Sequence, residues 1–182
     1  MADVRLVRLH LRDLDVMAQV RSDEAAAKGY PDAFGPAERV ELAERIERSG
    51  EFDGIELLLG IQVDGRLAGE VQARQPRMGL PPGVFELGID LFDEADRGRG
   101  YGREALVQLL PRLFGDEGAH RVQLTTDVDN AAMRSVSERL GFRLEGVMRR
   151  FMPSVDGPRD YALYAMTVDD YEGTRETWTS TS

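Results

Sequence analysis

Cysteine is absent from this chain of 182 residues. That absence excludes a disulfide-stapled scaffold, a thiolate zinc site and an acyl-cysteine intermediate, and it fits the reducing cytoplasm where we expect the protein. No window approaches the roughly 18 consecutive apolar residues of a membrane-spanning helix. Residues 1–15 also lack the apolar core of a secretion signal. We therefore expect neither a membrane anchor nor export.

Basic residues and histidines are also scarce. The chain carries 33 acidic against 23 basic residues, for a net charge of −10. Such a field repels nucleic acid and attracts amines and cationic peptides. The two histidines, His10 and His120, stand alone at strand positions, so we expect no metal site.

The hydrophobic pattern predicts one mixed domain of strands and helices over residues 1–172, with a flexible tail at 173–182. Asp64-Gly65 lies between two apolar runs and predicts a tight hairpin. A proline- and glycine-rich loop is expected at 75–83. Strands are predicted at 4–11, 55–63, 66–74, 84–92, 120–128, 142–152 and 159–168, and helices at 13–29, 35–50, 106–114 and 130–141.

The stretch at 93–106, DEADRGRGYGREAL, places three glycines and three arginines within seven positions just ahead of a helix. Glycines let backbone N–H groups turn toward an anion, and a helix N-terminus adds its positive dipole end. The loop does not match the dinucleotide-binding fingerprint, because Arg103 occupies the position of its third glycine. It does not match a P-loop either, because no G-K-[ST] follows. The loop alone leaves open a surface turn with solvated arginines, or a nucleotide-phosphate binder of another kind.

Two longer segments carry a family resemblance. FELGIDLFDEADRGRGYGREAL, followed further along by LTTDVDNAAMRSVSERLGFRLEGVMRR, resembles the GNAT superfamily of N-acyltransferases, in particular its ribosomal-protein N-terminal acetyltransferase branch. The likeness covers residues 4–171. It implies an α/β (α+β) fold: a central mixed, mostly antiparallel twisted sheet of about seven strands with helices on both faces. It also implies a V-shaped splay between the strands at 84–92 and 120–128.

The resemblance further implies acetyl-CoA as co-substrate, with no metal. Its pantetheine arm is then expected to lie in the V, against the backbone of Ile89 and Leu91. A bulge is expected at Gly88, where an isolated strand glycine often marks one. Asn130 matches the family asparagine that usually hydrogen-bonds the pantetheine arm, a role compatible with capping the following helix. The pyrophosphate is expected on Arg97, Gly98, Arg99, Gly100, Tyr101 and Gly102.

Direct acetyl transfer needs a base for the amine and a proton donor for the departing thiolate. Glu86 is our candidate base because it matches a common family carboxylate; Glu70 and Asp90 rank behind it, and a solvent-facing strand residue is the competing interpretation. Tyr164 is our candidate acid, against the alternative of a core tyrosine, whereas Tyr161 faces the other way. Met133 stands where many members of the branch carry serine, which weakens a serine-acid mechanism. Met133 itself is expected in the core.

We therefore predict a transferase, an acyl-CoA-dependent N-acetyltransferase, that moves acetyl from acetyl-CoA directly to a primary amine. The acceptor is a peptide or protein N-terminus or a small amine. Asp23, Glu24 and Asp32 could steer a cationic amine, although an ordinary solvated face is the preferred interpretation. The alternative function is a non-catalytic acyl-CoA-binding module. The branch also includes many homodimers, so a homodimer is compatible with the resemblance.

Overall fold

A computed structural model describes residues 2–76 and 79–178. The strands are β1 (Val4–Val7), β2 (Glu56–Val63), β3 (Arg66–Arg74), β4 (Val84–Leu91), β5 (Arg121–Asp127), β6 (Arg143–Met152) and β7 (Arg159–Thr167). The helices are α1 (Leu14–Ala27), α2 (Pro36–Glu47), α3 (Tyr101–Gly115), α4 (Ala131–Leu140) and α5 (Val168–Thr174), with short 3-10 helices at Leu11–Asp13, Pro31–Ala33, Glu94–Asp96 and Arg175–Trp178. The loop predicted at 75–83 includes residues 77 and 78, which lie outside the described residues.

The seven strands form one open sheet in the order β1-β2-β3-β4-β5-β7-β6. Neighbouring strands are antiparallel except β4 and β5, which are parallel. The predicted mixed, mostly antiparallel sheet is confirmed.

Helices cover both faces of this sheet. Successive strand side chains point to opposite faces, and β2 shows the consequence: Leu57 packs into the core layer of α3, whereas Leu58 packs with Met17 of α1 and Leu42 of α2. The predicted arrangement of helices on both faces is therefore confirmed. The same alternation assigns every functional side chain on a strand to one of two environments.

Local sequence signals fix several of the turns. Asp64 and Gly65 both have positive φ, at 49° and 83°, as the two-residue hairpin turn between β2 and β3 requires. Asn130 caps α4 by accepting a hydrogen bond from the Met133 N–H at 3.0 Å, and Gly141 ends that helix with φ of 95°. These are the boundaries that the sequence predicts.

The C-terminal segment departs from the expected flexible tail at 173–182. Gly173 and Thr174 instead complete α5, and Trp178 is buried with its ring 5.6 Å from that of Tyr171. The sequence carried a signal for this helix, because Thr167 and Asp170 form a capping box. The packed chain extends at least to Trp178, and residues 179–182 lie outside the described residues.

Candidate active site

The centre of the sheet opens between its two parallel strands. β4 and β5 pair only from Val84 with Arg121 to Leu87 with Leu124. Beyond that point β4 stays paired with β3 as far as Leu91, and β5 stays paired with β7 as far as Asp127. The predicted V-shaped splay is therefore present, and it begins immediately after Leu87.

The splay leaves backbone groups of β4 without a partner strand. The Gly83 carbonyl accepts hydrogen bonds from the N–H groups of His120 and Arg121, at 2.9 and 3.2 Å, so it faces β5. Backbone groups of a strand alternate in direction along the chain, so those of Ile89 and Leu91 face the same way. No strand of the described residues meets them there, so their N–H and C=O groups line the V without a backbone partner.

The bulge expected at Gly88 is absent from the β3–β4 pairing, whose register runs unbroken from Arg74 with Glu86 to Gly69 with Leu91. Glycine at this position instead leaves room for a neighbouring side chain. A Cβ at Gly88 would lie 2.7 Å from Nε2 and 3.0 Å from Cγ of Gln72, the residue opposite it on β3. The strands therefore separate without a bulge in β4.

The glycine-rich loop enters α3 through two left-handed glycines, Gly98 with φ of 73° and Gly100 with φ of 86°. A Cβ on either would meet nothing within 4 Å, so they are needed for backbone conformation and not for space. Among the described residues, no group accepts a hydrogen bond from the backbone N–H groups of residues 98–102. The loop and the start of α3 thus present a run of backbone N–H groups without acceptors among the described residues, an arrangement typical of phosphate sites.

Two contacts hold this loop against the sheet. The Asp96 carboxylate is buried and accepts hydrogen bonds from Arg66 of β3 at 2.8 and 2.9 Å. Gly102 packs closely on β4, where a Cβ would lie 3.4 Å from Cδ1 of Ile89. The glycine-rich loop and the splayed end of β4 are therefore adjacent.

The other residues predicted to bind a ligand lie near the starts of α3 and α4. Arg97 and Arg99 are exposed; Arg97 lies 3.5 Å from Glu94, whereas Arg99 pairs with no described residue. Asn130 follows β5, and its Oδ1 caps α4, which leaves its amide nitrogen available. Tyr101 is the first residue of α3 and packs partly against the core.

Carboxylates gather on the α1/α2 face of the sheet. Phe85 and Leu87 point into the α3 core, so Glu86 and Asp90 point to the opposite face. Glu86 lies just before the splay and Asp90 just beyond it, and neither carboxylate makes a hydrogen bond or ion pair with a described residue. Glu70 of β3 lies directly opposite Asp90.

Glu70 is the carboxylate whose environment the sequence does not show. Its side chain is 3% exposed, its Oε1 pairs with Arg21 of α1, and its Oε2 accepts no hydrogen bond from a described residue. Loss of hydration on burial raises the pKa of Glu70 to about 7; Arg21 and Arg45 oppose this shift, and Asp90 and Glu24 add to it. Such a perturbed carboxyl beside a cleft marks a candidate functional site, and no short-range sequence pattern shows its burial.

The two tyrosines of β7 lie on opposite faces, as predicted. Tyr164 is fully buried in the α3 core, where its hydroxyl donates to Glu138 at 2.8 Å and accepts from Arg134 at 3.3 Å. Tyr161 lies on the carboxylate face, and its pKa is raised by burial first and by Asp127 next, with Asp90 and Glu24 adding to the shift. Tyr161 and these carboxylates therefore share one environment.

Three further observations concern Met133, metal-ligating side chains and membrane-spanning helices. Met133 packs partly buried against the α3 core, as expected, and supplies no hydroxyl to the V. In the part of the chain that the structure describes, no group of three or more histidine, aspartate or glutamate side chains could hold a metal ion. Within residues 2–76 and 79–178, no helix has the length and apolar character needed to cross a membrane.

Comparison with known proteins agrees with this geometry. A family model described as an acetyltransferase (GNAT) domain matches residues 3–143. The mycothiol acetyltransferase of Pseudarthrobacter chlorophenolicus is 33% identical over 132 residues, which is 72% of this chain but 39% of that protein. The chain thus spans about two fifths of the length of the curated relatives it matches.

Two solved structures show the same fold at low identity. Mycobacterium smegmatis RimJ, in complex with CoA-disulfide, superposes with a TM-score of 0.76 at 20% identity, covering 97% of this chain and 89% of that one. RimL, the ribosomal L7/L12 alpha-N-protein acetyltransferase in complex with coenzyme A, gives a TM-score of 0.74 at 20% identity, with coverages of 92% and 95%. Given the family match over residues 3–143 and the splayed sheet, this chain belongs to the GNAT acetyltransferase family.

Proposed function

We propose that this protein transfers an acetyl group from acetyl-CoA directly to a primary amine. The observation that carries the proposal is the splay after Leu87 and Leu124, which opens unpaired backbone groups next to the free N–H groups of residues 98–102. Family membership supports it, as do the acetyltransferase names of the relatives and the CoA complexes of the structural neighbours.

The residues present fit coenzyme A. Free N–H groups at 98–102 with Arg97 and Arg99 suit a pyrophosphate, because they combine a helix N-terminus with full positive charges. The backbone of Ile89 and Leu91 and the amide nitrogen of Asn130 suit the amide-bearing pantetheine arm. When bound, acetyl-CoA supplies the acetyl thioester that the amine attacks.

Glu86 remains our proposed base. It lies on the α1/α2 face just before the splay and is free of hydrogen bonds and ion pairs within the described residues, so its carboxylate is available to take a proton from an amine or a bridging water. For Tyr164 the hydrogen bonds to Glu138 and Arg134 favour a different role, the anchoring of α4 to β7. Of the two catalytic predictions, Glu86 is therefore the one we carry forward.

The proposed acceptor is a small amine or a peptide N-terminus. The relatives named mycothiol acetyltransferase support the small amine. The cytoplasmic location and the homodimer also stay predictions.

The second candidate function is an acyl-CoA-binding module without catalysis, favoured by Met133 at the position where many of the branch carry serine. One experiment separates the two. The protein is melted with saturating acetyl-CoA, CoA, NAD or ATP, and free thiol is then followed with acetyl-CoA and a panel of primary amines, against a background free of protein cysteine. Stabilisation by acetyl-CoA and CoA alone, with amine-dependent thiol release, is expected; stabilisation without release would favour the module.

A further inference from the structure

Along the V, β5 keeps only one neighbouring strand. Its pairing with β4 stops at Leu124, whereas its pairing with β7 continues to Asp127. One more backbone hydrogen bond follows, from the Val128 N–H to the Asp160 carbonyl at 3.1 Å. The described backbone hydrogen bonds therefore attach residues 127–130, the turn into α4, to the sheet from the β7 side only.

The side chain of Arg159, on β7, reinforces that attachment. Its Nη2 lies 3.2 Å from Oδ1 of Asp127 and 2.7 Å from Oδ2 of Asp129, and its Nε also pairs with Asp127. The same Oδ1 of Asp127 accepts the backbone N–H of Asp129 at 2.8 Å, and the Asp127 carbonyl accepts the backbone N–H of Asn130 at 3.0 Å. Arg159 thus orients the carboxylate around which the turn closes.

The other side of the turn is held by α4. Arg134 donates to the Val128 carbonyl at 3.0 Å and to the Tyr164 hydroxyl at 3.3 Å. Asn130 ends the turn; its Oδ1 accepts the Met133 N–H, whereas its amide nitrogen donates no hydrogen bond to a described residue. A turn that is fixed by an arginine on each side also fixes the place of the side-chain donor that it leaves free.

The exposure of the Arg159 ion pairs argues that stability is not their main effect. The side chain of Arg159 is 42% exposed and that of Asp129 is 78% exposed. Ion pairs as exposed as this contribute little to the free energy of unfolding. They do restrict the conformation of the turn, because the planar guanidinium fixes the relative orientation of the carboxylates that it binds.

We propose that Arg159 is a positioning residue for coenzyme A: it holds the turn at 127–130 in the conformation that presents the amide of Asn130 to the pantetheine arm. The inference rests on the proposed function, because it concerns the coenzyme of that same site. Arg159 does not contact the ligand; it acts on Asn130 through the two aspartates of the turn. The nucleotide half of coenzyme A is proposed to bind elsewhere, at residues 97–102, so the effect of Arg159 should be confined to the pantetheine half.

Isothermal titration with coenzyme A and with its nucleotide half, 3′-phospho-ADP, tests this role. The ratio of the two affinities isolates the contribution of the pantetheine arm, because both ligands carry the same nucleotide. Arg159→Gln should lower the preference for coenzyme A about 3- to 10-fold, the net contribution of one hydrogen bond. Arg143→Gln removes the same charge and breaks the ion pair of another exposed strand arginine, with Asp170 of α5. It is the matched control and should leave the ratio unchanged.

A second substitution shows whether Arg159 acts through Asn130. Asn130→Asp keeps an oxygen that caps α4 but removes the amide donor, so it should lower the ratio by a similar factor. In the Arg159→Gln/Asn130→Asp double variant the two losses should not add, because both changes remove the same interaction. Asp127→Asn weakens the same ion pair from its other side; it serves if Arg159→Gln fails to fold, and should behave in the same way.

The possible results distinguish the positioning role from the function on which it rests. An unchanged ratio in Arg159→Gln, equal weakening of both ligands, or a loss that adds in full to that of Asn130→Asp overturns the positioning role while coenzyme A binding stands. A wild-type protein that fails to bind coenzyme A would remove the proposed function and the positioning role together.

Discussion

Leu87 of β4 and Leu124 of β5 are the last residues through which these two parallel strands pair. Both side chains are buried in the core shared with α3, so the strands are held together up to this point by packing as well as by backbone hydrogen bonds. Beyond it each strand keeps only its outer neighbour. Backbone groups are thereby left unpaired at the centre of the sheet and not only at its edges.

Substitution of Gly100 by alanine should weaken acetyl-CoA binding about tenfold. The residue has φ of 86°, and an L-residue there costs about 1–2 kcal/mol, so the loop would relax away from the conformation that presents its N–H groups. Isothermal titration of acetyl-CoA measures the effect. Gly115→Ala, at the other end of α3, where φ is not positive and a Cβ meets nothing within 4 Å, is the control. Unchanged affinity in Gly100→Ala would contradict our account of the loop.

Glu86→Gln should lower kcat by about 10²- to 10⁴-fold, the usual contribution of a general base. Acetyl-CoA affinity should be retained, because Glu86 lies outside the loop and makes no ion pair within the described residues. Steady-state kinetics with the best amine, together with an acetyl-CoA titration, gives both quantities. Glu44→Gln, on the exposed side of α2, controls for the loss of one charge. A near-normal kcat in Glu86→Gln would show that another group acts as the base.

The free energy of unfolding should depend on pH through the titration of Glu70. Its pKa is about 7 in the folded protein against an ordinary value of 4.5, so between these values the folded state holds a proton that the unfolded state has lost. The contribution of Glu70 to stability is therefore greatest below about pH 4.5, and it falls by about 3 kcal/mol as the pH rises to about 7. Burial of the carboxyl raises this pKa most, and the charged groups that modify it are Arg21, Asp90, Arg45 and Glu24.

Urea unfolding of the wild type and Glu70→Gln from pH 5 to 8 measures this effect. The variant should gain in stability relative to the wild type as the pH rises, whatever its absolute stability, because glutamine does not titrate. Glu44→Gln should run parallel to the wild type. A constant difference between wild type and Glu70→Gln would show that the pKa of Glu70 is not raised.

Trp178→Ala should destabilise the protein by about 3–5 kcal/mol, the cost of emptying the space of a buried large aromatic ring. Trp178→Phe should cost much less, because the indole Nε1 donates no hydrogen bond to a described residue and only ring volume is lost. Urea denaturation monitored by far-UV circular dichroism compares the two. A cost below about 1 kcal/mol for the alanine variant would place Trp178 outside the core.

The predictable parts of the fold share one property, which is that their signals lie within a few residues. The hairpin at Asp64-Gly65 follows from turn chemistry, and the α4 boundaries follow from the Asn130 cap and the glycine at 141. The departures arise where distant parts of the chain meet. Gly88 was expected to mark a bulge, yet it accommodates Gln72 from the neighbouring strand, and the expected tail is held by the ring of Trp178 against Tyr171.

The sequence by itself determined the order of the elements, the glycine-rich loop ahead of α3 and the family, because periodicity, turn residues and motif spacing are local properties of a chain. Only the tertiary structure decided which carboxylates lie close together at the open end of the V. It also decided that the Tyr164 hydroxyl forms hydrogen bonds with α4. Arg21 reaches Glu70 across 49 residues, and the burial that raises the pKa of Glu70 exists only when α1 covers the sheet. Burial and proximity are properties of the packed chain, so the chemistry of the cleft could be identified only after the fold was known.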